Sequence, residues 1–187
     1  LALRTLTSPP VFTITAYPYL YAASFANGLV DTDKEHRIEA MPEPSLQQGL
    51  SNAQAALGLA QLESLPERNQ KRIDNARWLS EALEGVGEIT LPPQPKERTH
   101  LYTHYAVRVK DRERFVRSLI RLGIDAQRDY CSFCPKLPDF QPQGPVKAPT
   151  AQALDGSVAY LPNHPSLGKS DMLRIASKVE KVLTLFH

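Results

Sequence analysis

Residues 51–62 of the chain read SNAQAALGLAQL. Ser51 and Gln54 match the capping-box pattern, in which each side chain satisfies a backbone N–H group in the first turn of a helix. Ala53, Leu57 and Ala60 then recur at helical spacing along one face. The stretch therefore predicts a helix that begins at Ser51 and presents an apolar face.

The residues after this helix predict a small α+β layer. One predicted helix starts at Pro66 and stops near Gly85, a second runs over 112–122, and a third begins at a cap formed by Ser170. The predicted strands are 89–91, 101–109, 124–130 and 158–161. The strand at 101–109 is expected to be half-buried, with Leu101 on its apolar face and Tyr102 on its polar face, and the helix at 112–122 is expected to bury Leu122. The order of these elements favours a short sheet with helices packed on one face.

Composition narrows the class of protein. The 187 residues are 42% hydrophobic and carry a formal net charge of +2, so no strong field favours a nucleic-acid partner. Apolar runs are shorter than the ~18 residues that a membrane span needs. Cys131 and Cys134 are the two cysteines of the sequence, and they lie too close together for a disulfide between them to stabilise the fold. A reducing cytoplasm is therefore the expected compartment.

Four motifs in the same order carry a family resemblance. Residues 51–62 resemble the signature that opens the C-terminal domain in the DegT/DnrJ/EryC1/StrS family of pyridoxal-phosphate (PLP)-dependent sugar aminotransferases. Residues 102–108 (YTHYAVR) resemble the family's following strand, and residues 112–124 resemble its helix that ends in Gly-Ile. Residues 161–167 (LPNHPSL) resemble its late Leu-Pro loop.

The resemblance implies the small C-terminal domain of a fold-type-I transferase. In such enzymes a large domain holds PLP as a Schiff base on a lysine, and the small domain closes over it. Residues 51–187 would form the small domain, and residues 1–50 would connect it to the large domain. The resemblance also implies a homodimer that associates through the large domain and the loop before Ser51.

The lysine that family members use for catalysis has no counterpart in this chain. It precedes the Ser51 helix in a Ser-x-x-x-Lys context, and none of the nine lysines has that context. Lys34, within DTDKEH, has acidic neighbours that would raise the pKa of its amine, whereas a Schiff-base lysine needs a lowered pKa. We therefore predict no catalytic residue here and no activity for the chain alone.

Resemblance also suggests residues that could meet cofactor and substrate. Gln47 aligns with the family's asparagine that contacts the cofactor phosphate of the partner subunit, and its amide could do the same. Asp129 and Tyr130 align with a His-Tyr pair that faces the substrate sugar. His164, in the Leu-Pro loop, is a further candidate for sugar contact. Each of these could instead be a structural or solvent-facing residue.

The predicted function is amino transfer, with glutamate as the expected donor, to a nucleotide-linked keto-sugar in polysaccharide biosynthesis. Two alternatives remain within the family: a catalytically silent relative, and a dehydratase relative in which histidine replaces the lysine. The residue that decides between them is not in this sequence.

Two other patterns invite different functions. Cys131 and Cys134 form a CxxC, but tetrahedral zinc needs four ligands and the sequence offers no second pair at zinc spacing, so no metal is predicted. A redox module remains the weaker alternative. A basic stripe, defined as Lys110, Arg114, Arg117 and Arg121, is either a solvent-facing surface or a contact for the substrate's diphosphate.

Overall fold

The computed structural model describes residues 49–128, 133–136 and 146–185, together with residues 14, 17, 18, 21, 22, 24 and 25. The elements are α1 (Asn52–Glu63), α2 (Leu65–Leu83), β1 (Ile89–Thr90), β2 (Tyr105–Val109), α3 (Arg112–Arg121), a 3-10 turn (Cys134–Lys136), α4 (Pro149–Leu154), β3 (Val158–Leu161) and α5 (Lys169–Thr184). No described helix is both long and apolar enough to cross a membrane.

The three strands form one antiparallel sheet in the order β1-β2-β3. Ile89 pairs with Val109, and Tyr105 pairs with Leu161. Along β2, the side chains of Tyr105, Val107 and Val109 are buried, while Arg108 between them is exposed, which is the two-residue period of a half-covered strand. The sheet therefore offers one apolar face to the helices.

Helices α2, α3 and α5 share a single hydrophobic core with that face. The core includes Ala76, Leu79 and Leu83 from α2, Phe115, Val116 and Leu119 from α3, and Met172, Ile175, Val179 and Val182 from α5. Their spacing of three and four residues places them on one side of each helix. The predicted small α+β arrangement is confirmed.

Helix α1 forms as predicted but contributes nothing to this core. The Ser51 N–H donates to Gln54 Oε1 at 2.8 Å, and the Gln54 N–H donates to Ser51 Oγ at 3.3 Å, which completes the capping box. None of the helix's residues is buried. Leu57, Leu59 and Leu62 are 61%, 65% and 59% exposed.

The predicted strand at 124–130 is wrong over its described part, residues 124–128. Gly123 adopts a left-handed φ of 79°, and the Ile124 N–H donates back to the Leu119 carbonyl at 2.9 Å, as in a Schellman motif. The Ala126 N–H donates to the Ile124 carbonyl at 2.9 Å. These donors are therefore not available to a ladder, and Gln127 alone forms a bridge, to Tyr160.

Four further expectations are also corrected. Helix α5 begins at Lys169 rather than with Ser170 as its cap, because Asp171 Oδ2 accepts the N–H of Gly168 at 3.0 Å. Tyr102 was predicted to point to the polar side, yet it is buried, and its φ of 49° breaks the alternation. Leu101 is exposed instead. Leu122 is half-buried, because it forms the C-cap of α3.

Three residues of the N-terminal segment, Tyr17, Ser24 and Phe25, contact α3. The Tyr17 hydroxyl donates to the Ile120 carbonyl at 3.2 Å. Arg121 donates to the Ser24 carbonyl at 2.6 Å, and its guanidinium lies 4.1 Å from the centre of the Phe25 ring. A cation over an aromatic face is an attractive contact, so this part of the segment is tied to the C-terminal end of α3.

Candidate functional site

An open cleft of about 280 Å³ lies where the end of β3 meets the start of β2. Antiparallel pairing brings these two strand ends together. The walls come from α2, the start of β2, the segment after α3, and β3 with the loop that follows it. The lining residues are Arg72, Thr103, His104, Asp125, Gln127, Tyr160, Leu161, Pro162, Asn163 and His164.

Two asparagines fix the loop that carries His164. Asn75, in the middle of α2 and 1% exposed, donates through Nδ2 to the carbonyls of His164 and Leu167, both at 3.2 Å. Asn163 Nδ2 donates to the carbonyl of Tyr102 at 2.7 Å and to that of Arg72 at 3.2 Å. These bonds to backbone carbonyls hold the loop, α2 and the approach to β2 in one arrangement.

The imidazole of His164 has a defined hydrogen-bonding pattern. Its Nδ1 accepts the Ser166 N–H at 3.2 Å and lies 2.7 Å from Ser166 Oγ. Because Nδ1 is an acceptor, the proton of the neutral ring resides on Nε2. Partial burial lowers the pKa of His164, and the positive charges of Arg72 and Arg68 lower it further. Both effects favour the neutral ring, with Nε2–H as its donor.

The other side of the cleft carries a carboxyl and an amide. The Gln127 N–H donates to the Tyr160 carbonyl at 3.0 Å, and the Tyr160 N–H donates to the Gln127 carbonyl at 2.8 Å, so this segment is attached to the edge of the sheet. Burial raises the pKa of Asp125, and a hydrogen bond with the Gln127 side chain partly opposes that rise. His104 and Tyr160 meet edge to face, with ring centres 5.7 Å apart.

Among the predicted site residues, His164 lies on this cleft. Gln47, Asp129 and Tyr130 lie outside the described residues. Sequence reasoning missed Arg72 and Asn163. Asn163 belongs to the LPNHPSL motif and could have been singled out there. Nothing in the pattern of α2 distinguishes Arg72 from its neighbouring basic residues.

The cleft does not fit a covalently anchored cofactor, since no lysine is among its described lining residues. A metal centre is not supported either: the described residues contain no group of three or more His, Cys, Asp or Glu side chains able to hold an ion. Cys134 lies in the 3-10 turn and is exposed. Cys131 lies outside the described residues.

Comparison with known proteins points to one family. The model of the DegT/DnrJ/EryC1/StrS aminotransferase family matches residues 25–180. GDP-perosamine synthase of Caulobacter vibrioides is 28% identical over 142 residues, which cover 72% of this chain and 38% of that protein. The solved aminotransferase TlmJ of Streptoalloteichus hindustanus is 26% identical with a TM-score of 0.64, over 71% of this chain and 36% of TlmJ.

A third similarity concerns the fold alone. Spr1654 of Streptococcus pneumoniae, a candidate sugar aminotransferase solved in a PLP form, is 22% identical with a TM-score of 0.66, over 74% of this chain and 37% of Spr1654. The chain thus spans 36% to 38% of the length of these three proteins.

Proposed function

Because the chain belongs to the DegT/DnrJ/EryC1/StrS aminotransferase family, we propose that it forms the small C-terminal domain of a fold-type-I, PLP-dependent sugar aminotransferase. Residues 51–187 form that domain, and residues 1–50 connect it to a large domain. The family match over residues 25–180 carries the proposal. The α+β core of α2, α3, α5 and the three-stranded sheet supports it.

The proposed enzyme transfers an amino group from glutamate to a keto-sugar attached to a nucleotide. A relative named GDP-perosamine synthase supports the substrate class, and the match to the aminotransferase family supports the cofactor. Bound PLP would supply the electron sink for amino transfer. None of the nine lysines has the Ser-x-x-x-Lys context of the family's catalytic lysine, so the proposal assigns the anchoring lysine to the large domain and no activity to the chain alone.

The residues of this chain would bind and orient the substrate. His164 offers its Nε2–H donor, and Asp125 and Gln127 offer a carboxyl and an amide across the cleft; such groups suit sugar hydroxyls. Asp129 and Tyr130 would extend this surface. Gln47 would donate from its amide to the cofactor phosphate of the partner subunit. Closure of the domain over the substrate would exclude water from the reacting atoms.

The surface of α1 supports assembly with a large domain and a second subunit. Its leucines point in several directions: on a helical projection, Leu59 and Leu62 lie on the side opposite Leu57. Residues 50–62 contain no charged side chain. Large apolar side chains on opposite sides of a helix are normally covered by protein, whereas α1 is exposed along its length.

The intact protein provides the test. We expect it to bind PLP, to show the absorbance band of a lysine-bound cofactor and to retain the cofactor after borohydride reduction. A peptide containing the modified lysine should map to a segment outside this chain. Retained activity after borohydride treatment, or the absence of any bound cofactor, would refute the transaminase assignment. Cofactor binding without borohydride fixation would identify a relative with histidine at that position.

A further inference from the structure

Two arginines one turn apart on α2 form a cationic wall beside the cleft. Arg68 and Arg72 are half-buried, and within the described part of the chain neither makes an ion pair. Their neighbours on the same helix do: Lys71 pairs with Glu67 at 2.9 Å, and Arg77 pairs with Asp74 at 3.2 Å. Among the described residues, the Arg72 guanidinium donates to an amide oxygen, with Nη1 3.5 Å from Asn69 Oδ1. These guanidinium groups therefore retain donors for another molecule.

His164 adds a third donor to this wall. Arg72 and His164 both line the cleft, and the charges of Arg68 and Arg72 act on the imidazole strongly enough to lower its pKa. The Asn163 bond to the Arg72 carbonyl fixes the spacing between α2 and the His164 loop. Positive charges gathered without a carboxylate repel one another, and an anion placed between them would remove that repulsion.

The acidic group of the cleft belongs to a different wall. Asp125 shares a hydrogen bond with the side chain of Gln127, and both residues belong to the segment after α3. The cleft therefore has a cationic side formed by α2 and the His164 loop, and a side with neutral and acidic acceptors formed by the segment after α3. A sugar phosphate has the same two parts, an anion and a set of hydroxyl groups.

We propose that Arg72 and His164, reinforced by the charge of Arg68, form the subsite for the phosphate groups of the nucleotide-linked sugar, with the sugar directed toward Asp125 and Gln127. A planar guanidinium can donate two parallel hydrogen bonds to a phosphate, and Nε2–H of His164 supplies a third donor. This assignment rests on the proposed function.

The basic stripe on α3 is less suited to the role, because two of its members already bind within the chain. Arg121 donates to Ser24 and lies over Phe25. Arg114 donates to the carbonyl of Leu185 at 3.3 Å. A diphosphate bound there would have to displace these contacts, whereas Arg72 has no ion-pair partner among the residues that the structure describes.

The test is a titration of the chain with inorganic pyrophosphate at constant ionic strength, followed by the NMR signals of the His164 imidazole. We expect saturable shifts and a rise in the pKa of His164 on binding. Arg72→Gln should weaken the affinity about tenfold or more, since a charge-assisted hydrogen bond contributes that much. Arg72→Lys should lose less affinity than Arg72→Gln but should not match the unmodified chain, because lysine keeps the positive charge and cannot donate two parallel hydrogen bonds.

Arg77→Gln is the matched control, since Arg77 lies on α2, is exposed and already has Asp74 as a partner. It should leave the affinity unchanged, with folding of each variant verified by circular dichroism. Equal losses in Arg77→Gln and Arg72→Gln, or no saturable shift of His164, would overturn the subsite. Either result would leave the cofactor spectrum of the intact protein unaffected, so failure here is distinguishable from failure of the aminotransferase assignment.

Discussion

Ser80 and Tyr105 form a hydrogen bond inside the core. Ser80 Oγ lies 2.7 Å from the Tyr105 hydroxyl, and burial raises the pKa of Tyr105 to about 12. Since the phenol stays protonated, it needs a partner at every physiological pH. This pair fixes the position of β2 against α2, and with it the strand end that forms part of the cleft.

We expect Ser80→Ala to lower the free energy of unfolding by about 1–3 kcal/mol, because the buried Tyr105 hydroxyl loses its partner. Adding Tyr105→Phe should recover part of that loss, since both polar groups are then gone. Urea denaturation of the two single variants and the double variant measures this coupling. Strictly additive losses would show that the bond contributes nothing.

His164 predicts a dependence of stability on pH. Its pKa in the folded chain lies below the usual 6.5 because of partial burial and the charges of Arg72 and Arg68. The unfolded chain therefore binds a proton more readily than the folded chain does. The stabilisation is fully present above pH 6.5 and is lost as the pH falls from there through the folded-state pKa.

Urea denaturation at pH 7.5 and pH 5.5 should therefore show lower stability at pH 5.5, and His164→Gln should reduce the difference. Arg72→Gln should also reduce it, since one of the two charges acting on the imidazole is removed. An unchanged difference in both variants would contradict this origin of the pH dependence.

At the scale of elements, the end of α3 determines how the chain enters the cleft. Gly123 has a φ of 79°, a conformation that costs a residue with a Cβ roughly 1 kcal/mol. A Cβ at this position would lie 3.7 Å from the Tyr17 hydroxyl, an ordinary contact. The backbone, rather than crowding, therefore accounts for the need for glycine.

Gly123→Ala should lower the free energy of unfolding by about 1 kcal/mol. The control is Gly87→Ala, which introduces a Cβ into open space and should change stability much less. Thermal or urea denaturation of the two variants provides the comparison. A Gly87→Ala loss as large as that of Gly123→Ala would argue against backbone strain.

Local patterns predicted most of the helices and strands. Ser51 and Gln54 defined the start of α1 because a capping box needs only neighbouring residues. The segment 124–128 could not be predicted in the same way, because the apolar pattern does not reveal that Ile124 donates to α3 rather than to a strand. Tyr102 was misplaced for a similar reason: its left-handed backbone is held by His100 and Asn163, and Asn163 is distant in sequence.

At the scale of the whole molecule, the candidate site depends on contacts between distant residues. The LPNHPSL motif led to His164, since the loop is continuous in sequence. Arg72 and Asp125 join it only after α2 packs along α5 and the segment after α3 attaches to Tyr160. Which side of α2 faces the loop is set by Asn75, a buried polar residue that an apolar pattern does not highlight.

Association of the intact protein should depend on α1. Leu59→Asp should leave the unfolding free energy of this chain within about 0.5 kcal/mol, because the side chain is exposed, yet weaken subunit or domain association in the intact protein. Gln61→Glu, also on α1, is the control for an added charge. Sedimentation of the intact variants measures the assembly. Unchanged assembly in Leu59→Asp would exclude that side of α1 from the interface.

A single residue, Ser64, separates α1 from α2. We expect so short a connection to couple the orientation of α1 to that of α2. A contact that holds α1 against another protein surface would also influence the orientation of α2, which carries Arg72 and one wall of the cleft. The width of the cleft would therefore depend on the protein surface that α1 contacts.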